Sequence, residues 1–193
     1  ERLGWTGDAQ VFCATACYHM DTAGFYRKYL RDMLYEQREN LGAVPYVVPD
    51  VLSVVRRSLG QPDPVFTDSS WGEAGSCAWG DAATIIPWTL YQFYGDRVLL
   101  SEQYENMKRW VDETHCDGKR LWTVGFHFAD WLALDNPDPE SRFGRTDPYY
   151  VASVYYLYSS ELTAKAAKLL GKEADAAYYA KIADEVRAAI RAE

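Results

Sequence analysis

Two carboxylates and an indole share the first ten residues, Glu1-Arg2-Leu3-Gly4-Trp5-Thr6-Gly7-Asp8-Ala9-Gln10. That is the inventory of a site that cleaves glycosidic bonds. One carboxylic acid protonates the leaving oxygen, a second carboxylate holds hydroxyls, and an indole covers the apolar face of a pyranose. Gly4 and Gly7 interrupt any regular periodicity, so the segment reads as a loop, and Asp8 stands where an N-cap would sit ahead of a helix starting at Ala9. The plainer reading of the same residues is a capped helix, a core tryptophan and a solvated Glu1, and only a second observation displaces it.

That observation is the recurrence of the pairing. Trp79 is followed by Asp81, and Asp130 by Trp131. Like Trp5 with Asp8, each is an acid close in sequence to an indole, near the start of a predicted inner helix. A plain core rarely sets a carboxylate beside each of three indoles, because burying an unpaired charge is costly. The recurrence predicts one polar and aromatic cleft to which Asp8, Asp81 and Asp130 contribute binding groups and Trp5, Trp79 and Trp131 contribute walls.

The elements that would position these residues are helical hairpins. Residues 9–20 are apolar or small on every face and predict a helix packed on all sides, whereas 22–39 set Phe25, Tyr29, Leu30, Met33 and Leu34 on one stripe against Arg27, Lys28, Arg31 and Asp32. The pattern then dissolves from Asn40 to Ala78 around Pro45, Pro49, Pro62 and Pro64, with a short helical turn predicted at Val51–Ser58. It returns at 79–94, nearly all apolar, with Pro87 expected to kink it, and at 97–114, amphipathic through Leu99, Tyr104, Met107, Trp110 and Val111. A second irregular stretch, 115–147, leads to 149–170, a turn at Gly171, and an outer partner over 172–193. Three inner and outer pairs, with irregular segments ahead of the inner helices, predict an all-α architecture, an (α/α) barrel of which the 193 residues supply about half as one partial domain. The long irregular insertions speak against the alternative, an open solenoid, and the resemblance given below makes the barrel an (α/α)6 six-hairpin toroid with about three hairpins present.

Composition narrows the partners. A net charge of −8 with no Lys/Arg cluster argues against nucleic acid and against an anionic membrane surface. No apolar run approaches about 20 residues, so nothing in the sequence reads as a spanning helix. The four cysteines, Cys13, Cys17, Cys77 and Cys116, form no CxxC pair, and His19, His115 and His127 fall on separate segments, so no metal site is expected. Cys13 and Cys17 are four apart on a helix, where Cβ atoms lie about 5–6 Å apart, beyond the ~3.5–4.5 Å of a disulfide. Small buried thiols are the expectation. Both ends read as cut, since there is no initiator Met and no helix stop signal after Glu193.

Three of these segments together resemble a known family. Glu1 to Gln10, Trp79-Gly80-Asp81-Ala82 and Phe128-Ala129-Asp130-Trp131-Leu132 are similar, in order, to the catalytic-domain motifs of bacterial α-L-rhamnosidases of glycoside hydrolase family 78. The resemblance implies an inverting glycosidase with an (α/α)6 catalytic barrel, usually accompanied by β-sandwich domains. It implies that Glu1 is the general acid, Asp8 a carboxylate that holds the sugar, Trp5 a subsite wall, and Trp79 and Trp131 further walls, with Asp130 matching the pattern. The family's general base is a glutamate further downstream, and a further acidic residue precedes the first motif; neither position is in this chain.

The implied reaction is proton delivery from Glu1 to the leaving oxygen of a rhamnose-containing glycoside or polysaccharide, with water attacking the opposite face of an oxocarbenium-like centre. Protonated Glu1 would need a raised pKa, to which Asp8 contributes. No cofactor is required. The partners implied within the parent chain are the other barrel half and the β-sandwich domains. Two rivals remain on the sequence alone: a hydrolase of another sugar on the same barrel, and a non-catalytic carbohydrate-binding or scaffold domain.

Overall fold

The computed structural model describes residues 3–40, 42–60, 75–113 and 120–193. Among the described residues seven helices follow one another: α1 (Thr6–His19), α2 (Ala23–Glu39), α3 (Val51–Ser58), α4 (Ala82–Tyr94), α5 (Arg97–Glu113), α6 (Pro148–Leu169) and α7 (Glu173–Ala192). Among the described residues extended pairing is limited to two isolated bridges, Trp5 with Val47 and Trp131 with Phe143. The all-α expectation holds, and the hairpin boundaries fall within a few residues of those the periodicity predicts.

Local chemistry explains the ends. Asp147 caps α6 by accepting the Tyr149 and Tyr150 N–H groups at 2.9 and 2.8 Å, and Pro148 occupies the first turn, where its missing N–H costs nothing. Gly95 and Gly171 close α4 and α6 in left-handed conformations at φ +65° and +72°. Helix α4 continues unbroken through Pro87.

The helices form two layers. The inner row runs α1, α4, α6, with α1 against α4 and α4 against α6; the outer row packs α2 against α4 and α5, α5 against α4 and α6, and α7 against α6. Outer helices bury one stripe each, as α2 does with Tyr26, Tyr29, Leu30, Met33 and Gln37, and α7 with Tyr179, Ile182, Ala183 and Val186. Leu30, Met33, Ile86, Leu90 and Trp122 are among the fully enclosed side chains of the core. Polar ties hold the outer row: Asn106 Nδ2–H of α5 donates to the Leu30 carbonyl of α2 at 3.0 Å, and Gln37 Nε2–H donates to the Gly42 carbonyl just beyond α2 at 3.0 Å.

The two inner helices at the margins keep apolar side chains in solvent. Val11, Phe12 and Tyr18 on α1 and Tyr150, Val154 and Tyr158 on α6 are all exposed. Cys13, Cys17 and Cys77 are free thiols; Cys13 and Cys77 are buried, and burial pushes the Cys13 thiol up to about 12. Cys17, half-buried, lies 3.2 Å from the Thr22 hydroxyl. Cys116 and His115 lie outside the described residues.

Candidate active site

The first motif is anchored by chain from forty residues away. Thr6 N–H donates to the Tyr46 carbonyl at 2.9 Å, the Thr6 hydroxyl to the same oxygen at 3.1 Å, and Val48 N–H to the Gly4 carbonyl at 2.9 Å. These bonds satisfy donors that a helix start otherwise leaves bare, so α1 begins at Thr6 and not at Ala9, and Asp8 is an exposed residue of its first turn and not the cap. Beside it, Tyr29 donates its hydroxyl to the Gly4 carbonyl at 3.0 Å; burial pushes that hydroxyl's pKa up, and the charges of Tyr26 and Asp8 add to the effect.

Gly7 explains how this turn is seated. A Cβ built on it would meet Trp79 Cδ2 and Cε2 at 2.7 Å and Nε1 at 3.0 Å, which places the helix backbone directly over the indole face. Phe128 stacks on Trp79 at 4.4 Å with a 32° tilt. Trp79 is 9% exposed, and its Nε1–H meets no acceptor among the described residues. Trp5, Trp79 and Trp131 thus meet in one cluster with Tyr46, Ala78, Phe128 and Tyr155. The three indoles of the three motifs meet in this cluster, with Trp79 buried beneath Gly7.

Asp130 and Trp131 reach the cluster on the irregular segment between α5 and α6. Leu132 N–H donates to the Arg142 carbonyl at 2.7 Å and Gly144 N–H to the Asp130 carbonyl at 2.7 Å, folding the segment back on itself. Thr146 donates its hydroxyl to Asp130 Oδ2 at 2.8 Å, and a Cβ at Gly144 would lie 2.1 Å from that same oxygen. Ala129 and Leu132, flanking the pair, hold left-handed φ values of +46° and +62°, a conformation that side-chain-bearing residues keep only where the surroundings enforce it. Asp130 faces a hollow of about 300 Å³ lined by Phe126, Phe128, Phe143, Thr146 and Tyr149 at the start of α6. Aromatic rings with the Asp130 carboxylate and the hydroxyl-bearing Thr146 and Tyr149 suit a ligand with apolar faces and hydroxyl edges.

Asp81 does not belong to this mouth. It is fully enclosed, and both carboxylate oxygens are taken: Oδ1 accepts Trp110 Nε1–H at 2.8 Å and the Ser159 hydroxyl, and Oδ2 accepts Ala78 N–H at 2.7 Å. Burial pushes its pKa above the ordinary carboxylate range while these donors pull it back. The expectation that Asp81 binds substrate is corrected: its acceptors are already satisfied by protein. Glu1 lies outside the described residues.

His127 supplies a link that the sequence reading passed over. Cys77 N–H donates to its Nδ1 at 3.1 Å, and its Nε2–H points to the Val124 carbonyl at 3.0 Å, so the ring is a neutral tautomer. Phe128 N–H donates to Ser76 Oγ at 2.9 Å alongside. Burial holds the His127 pKa down at about 4. Tyr46 and Thr146 were likewise not singled out as site residues, since each acquires its place through a partner distant in sequence, and Phe128, quoted only as part of the third motif, was given no role.

Comparison with known proteins decides the family. The bacterial α-L-rhamnosidase six-hairpin glycosidase domain matches over residues 1–193. The chain belongs to that family. Relatives of this six-hairpin glycosidase domain include α-L-rhamnosidases of Formosa agariphila, 36% identical over 93% of the chain and 17% of the relative, and of Alteromonas sp. (strain LOR), 36% identical over 100% and 19%. Among solved structures, an α-L-rhamnosidase of Aspergillus terreus superposes with a TM-score of 0.80 at 32% identity, over 99% of this chain and 20% of its own. A Streptomyces avermitilis α-L-rhamnosidase complexed with L-rhamnose gives 0.77 at 33% identity, over 100% and 16%. The chain therefore spans about a fifth or less of the length of these relatives, and its helical hairpins are part of a six-hairpin glycosidase domain.

Proposed function

We propose that this chain is the acid-bearing part of an inverting α-L-rhamnosidase, releasing terminal α-L-rhamnose from a glycoside or polysaccharide. Glu1 is the general acid. Trp5 and Trp131 flank the sugar ring over a floor set by Trp79, and Asp8 and Asp130 take its hydroxyls. The general base and the remaining walls come from other segments of the parent chain, which supplies the other barrel half and accompanying β-sandwich domains. The reaction uses no metal or cofactor: a protonated carboxyl delivers its proton to the leaving oxygen while water attacks the opposite face.

The observation that carries this reading is the meeting of Trp5, Trp79 and Trp131 in one cluster, with the first motif seated on it through Gly7 and with Phe128 shared between that cluster and the hollow that Asp130 lines. Family membership supports the substrate, since the curated relatives are α-L-rhamnosidases and one solved relative holds L-rhamnose.

The parent enzyme tests it on a panel of aryl glycosides. Hydrolysis of the α-L-rhamnoside with β-L-rhamnose as first product, followed by NMR, is the expected result, and preference for a glucoside or a retained anomer refutes it. Glu1→Gln should lower turnover by about 10²–10⁴-fold on substrates with poor leaving groups and less on activated aryl substrates. Equal losses on both classes would mean that Glu1 binds sugar and donates no proton.

A further inference from the structure

Asp81 stands at the N-terminal boundary of α4 without capping that helix. Its carboxylate turns back to Ala78 N–H and across to Trp110 and Ser159. Two of these partners are N–H groups, which only donate, and they approach different oxygens, so both oxygens must accept. Ala78 is held at φ +65°, a left-handed conformation that disfavours any residue with a Cβ and that glycine adopts freely. The next residue is Trp79, whose indole face carries Gly7, and Gly7 lies between Trp5 and Asp8.

We propose that Asp81 is a positioning residue: its carboxylate holds Ala78 in the left-handed turn, which sets the Trp79 indole as the platform for Gly7 and so fixes Trp5 and Asp8 at the mouth of the site. This rests on the function proposed above for Trp5 and Asp8. The role is separable from that of a buried polar tie between helices. The Ser159 and Trp110 bonds to Oδ1 join α6 and α5 to the start of α4, whereas the Ala78 bond to Oδ2 acts on the turn that carries Trp79. Asparagine has one acceptor oxygen, and its NH₂ would oppose either the Ala78 or the Trp110 N–H.

The test is a double-mutant cycle in the parent enzyme. Asp81→Asn should raise KM for an aryl α-L-rhamnoside at least about tenfold, the scale of one lost hydrogen bond to a charged acceptor. Ala78→Gly alone should change KM by less than about twofold, and in the Asp81→Asn background it should recover most of the loss, because glycine takes up the turn without the carboxylate. Ser159→Ala, which removes a donor from Oδ1 only, should leave KM within about twofold. Failure of Ala78→Gly to recover KM, or an equal rise in Ser159→Ala, overturns the proposal. If Asp81→Asn alone yields no folded enzyme, recovery of folded protein by Ala78→Gly supports the proposal and its absence overturns it. Should the parent not hydrolyse rhamnosides at all, the functional reading falls, and crystal structures of the two Asp81→Asn variants decide this inference. An indole displaced from Gly7 in the single variant and returned in the double one supports it; an indole unmoved in the single variant overturns it.

Discussion

Replacing Gly7 with alanine sets two known effects against each other. Gly7 lies in the first turn of α1, and in an open helix the change to alanine stabilises by up to about 1 kcal/mol. Here the new methyl carbon would stand 2.7 Å from two atoms of the Trp79 ring, far inside ordinary contact. The indole cannot retreat without disturbing Phe128, stacked on it at 4.4 Å. Overpacking of this kind costs about 1–3 kcal/mol, so Gly7→Ala should be net destabilising by about 1–2 kcal/mol. Gly24 is the internal control: it also lies in the first turn of its helix, α2, and a Cβ there meets nothing within 4 Å. Gly24→Ala should be neutral or stabilising by up to about 1 kcal/mol. Urea unfolding of the chain followed by helical circular dichroism, at one protein concentration for all variants, compares the two. A Gly7→Ala midpoint equal to or above that of the unsubstituted chain would refute the claim that α1 is seated on the Trp79 face.

Acid should loosen the site through His127. Its folded pKa of about 4 lies below the unfolded value of 6.5, so the unfolded chain binds the extra proton between those values and stability falls as pH drops from 6.5 towards 4. The full difference is at most about 3 kcal/mol; His127→Asn, which does not titrate, should show a flatter melting profile between pH 7 and 4.5, and an unchanged acid slope would exclude His127 as the cause. Asp147→Ala removes the side-chain acceptor for two N–H groups at the start of α6 and should cost about 1 kcal/mol in the same unfolding experiment, no loss arguing against the cap. The isolated 193-residue chain should be silent towards aryl α-L-rhamnosides and should self-associate in light scattering through the exposed faces of α1 and α6, whereas turnover by a clean monomer would place the general base within the chain.

The helices were legible in the sequence because burial imposes period. Tyr29, Leu30 and Met33 recur on one stripe of α2, and the uniformly apolar 79–94 segment announces an inner helix. Trp5 and Trp79 stand where irregular chain meets an inner helix, which made their meeting legible, whereas Trp131 lies well ahead of α6 and comes in through the fold-back of its own segment. The role of Asp81 was not: an acid two residues from an indole looks the same whether it faces a cleft or the core, and what decides is a pair of donors 29 and 78 residues away in sequence, Trp110 and Ser159. The early start of α1 was hidden for the same reason, since the Tyr46 carbonyl that satisfies Thr6 belongs to a segment with no periodic pattern of its own.

The inner row ends in two bare margins, and this matters for how the parent is made. On the proposal that this chain is the first half of a six-hairpin ring, α1 leaves the ribosome before the other helices, and its open side is covered only when the last hairpin arrives. At about 5–20 residues per second, a further barrel half of similar length takes about 10–40 s to synthesise. During that interval Val11, Phe12 and Tyr18 offer a greasy helix face to anything nearby, while the α6 face waits only for the next hairpin. Ring closure is therefore a race against capture, and the vulnerable side is the older one. Site-specific crosslinking of stalled nascent chains from position 12 and from position 154 should find chaperone contacts persisting longer at the former; equal lifetimes at both positions would show that the nascent half shields its first helix by another route.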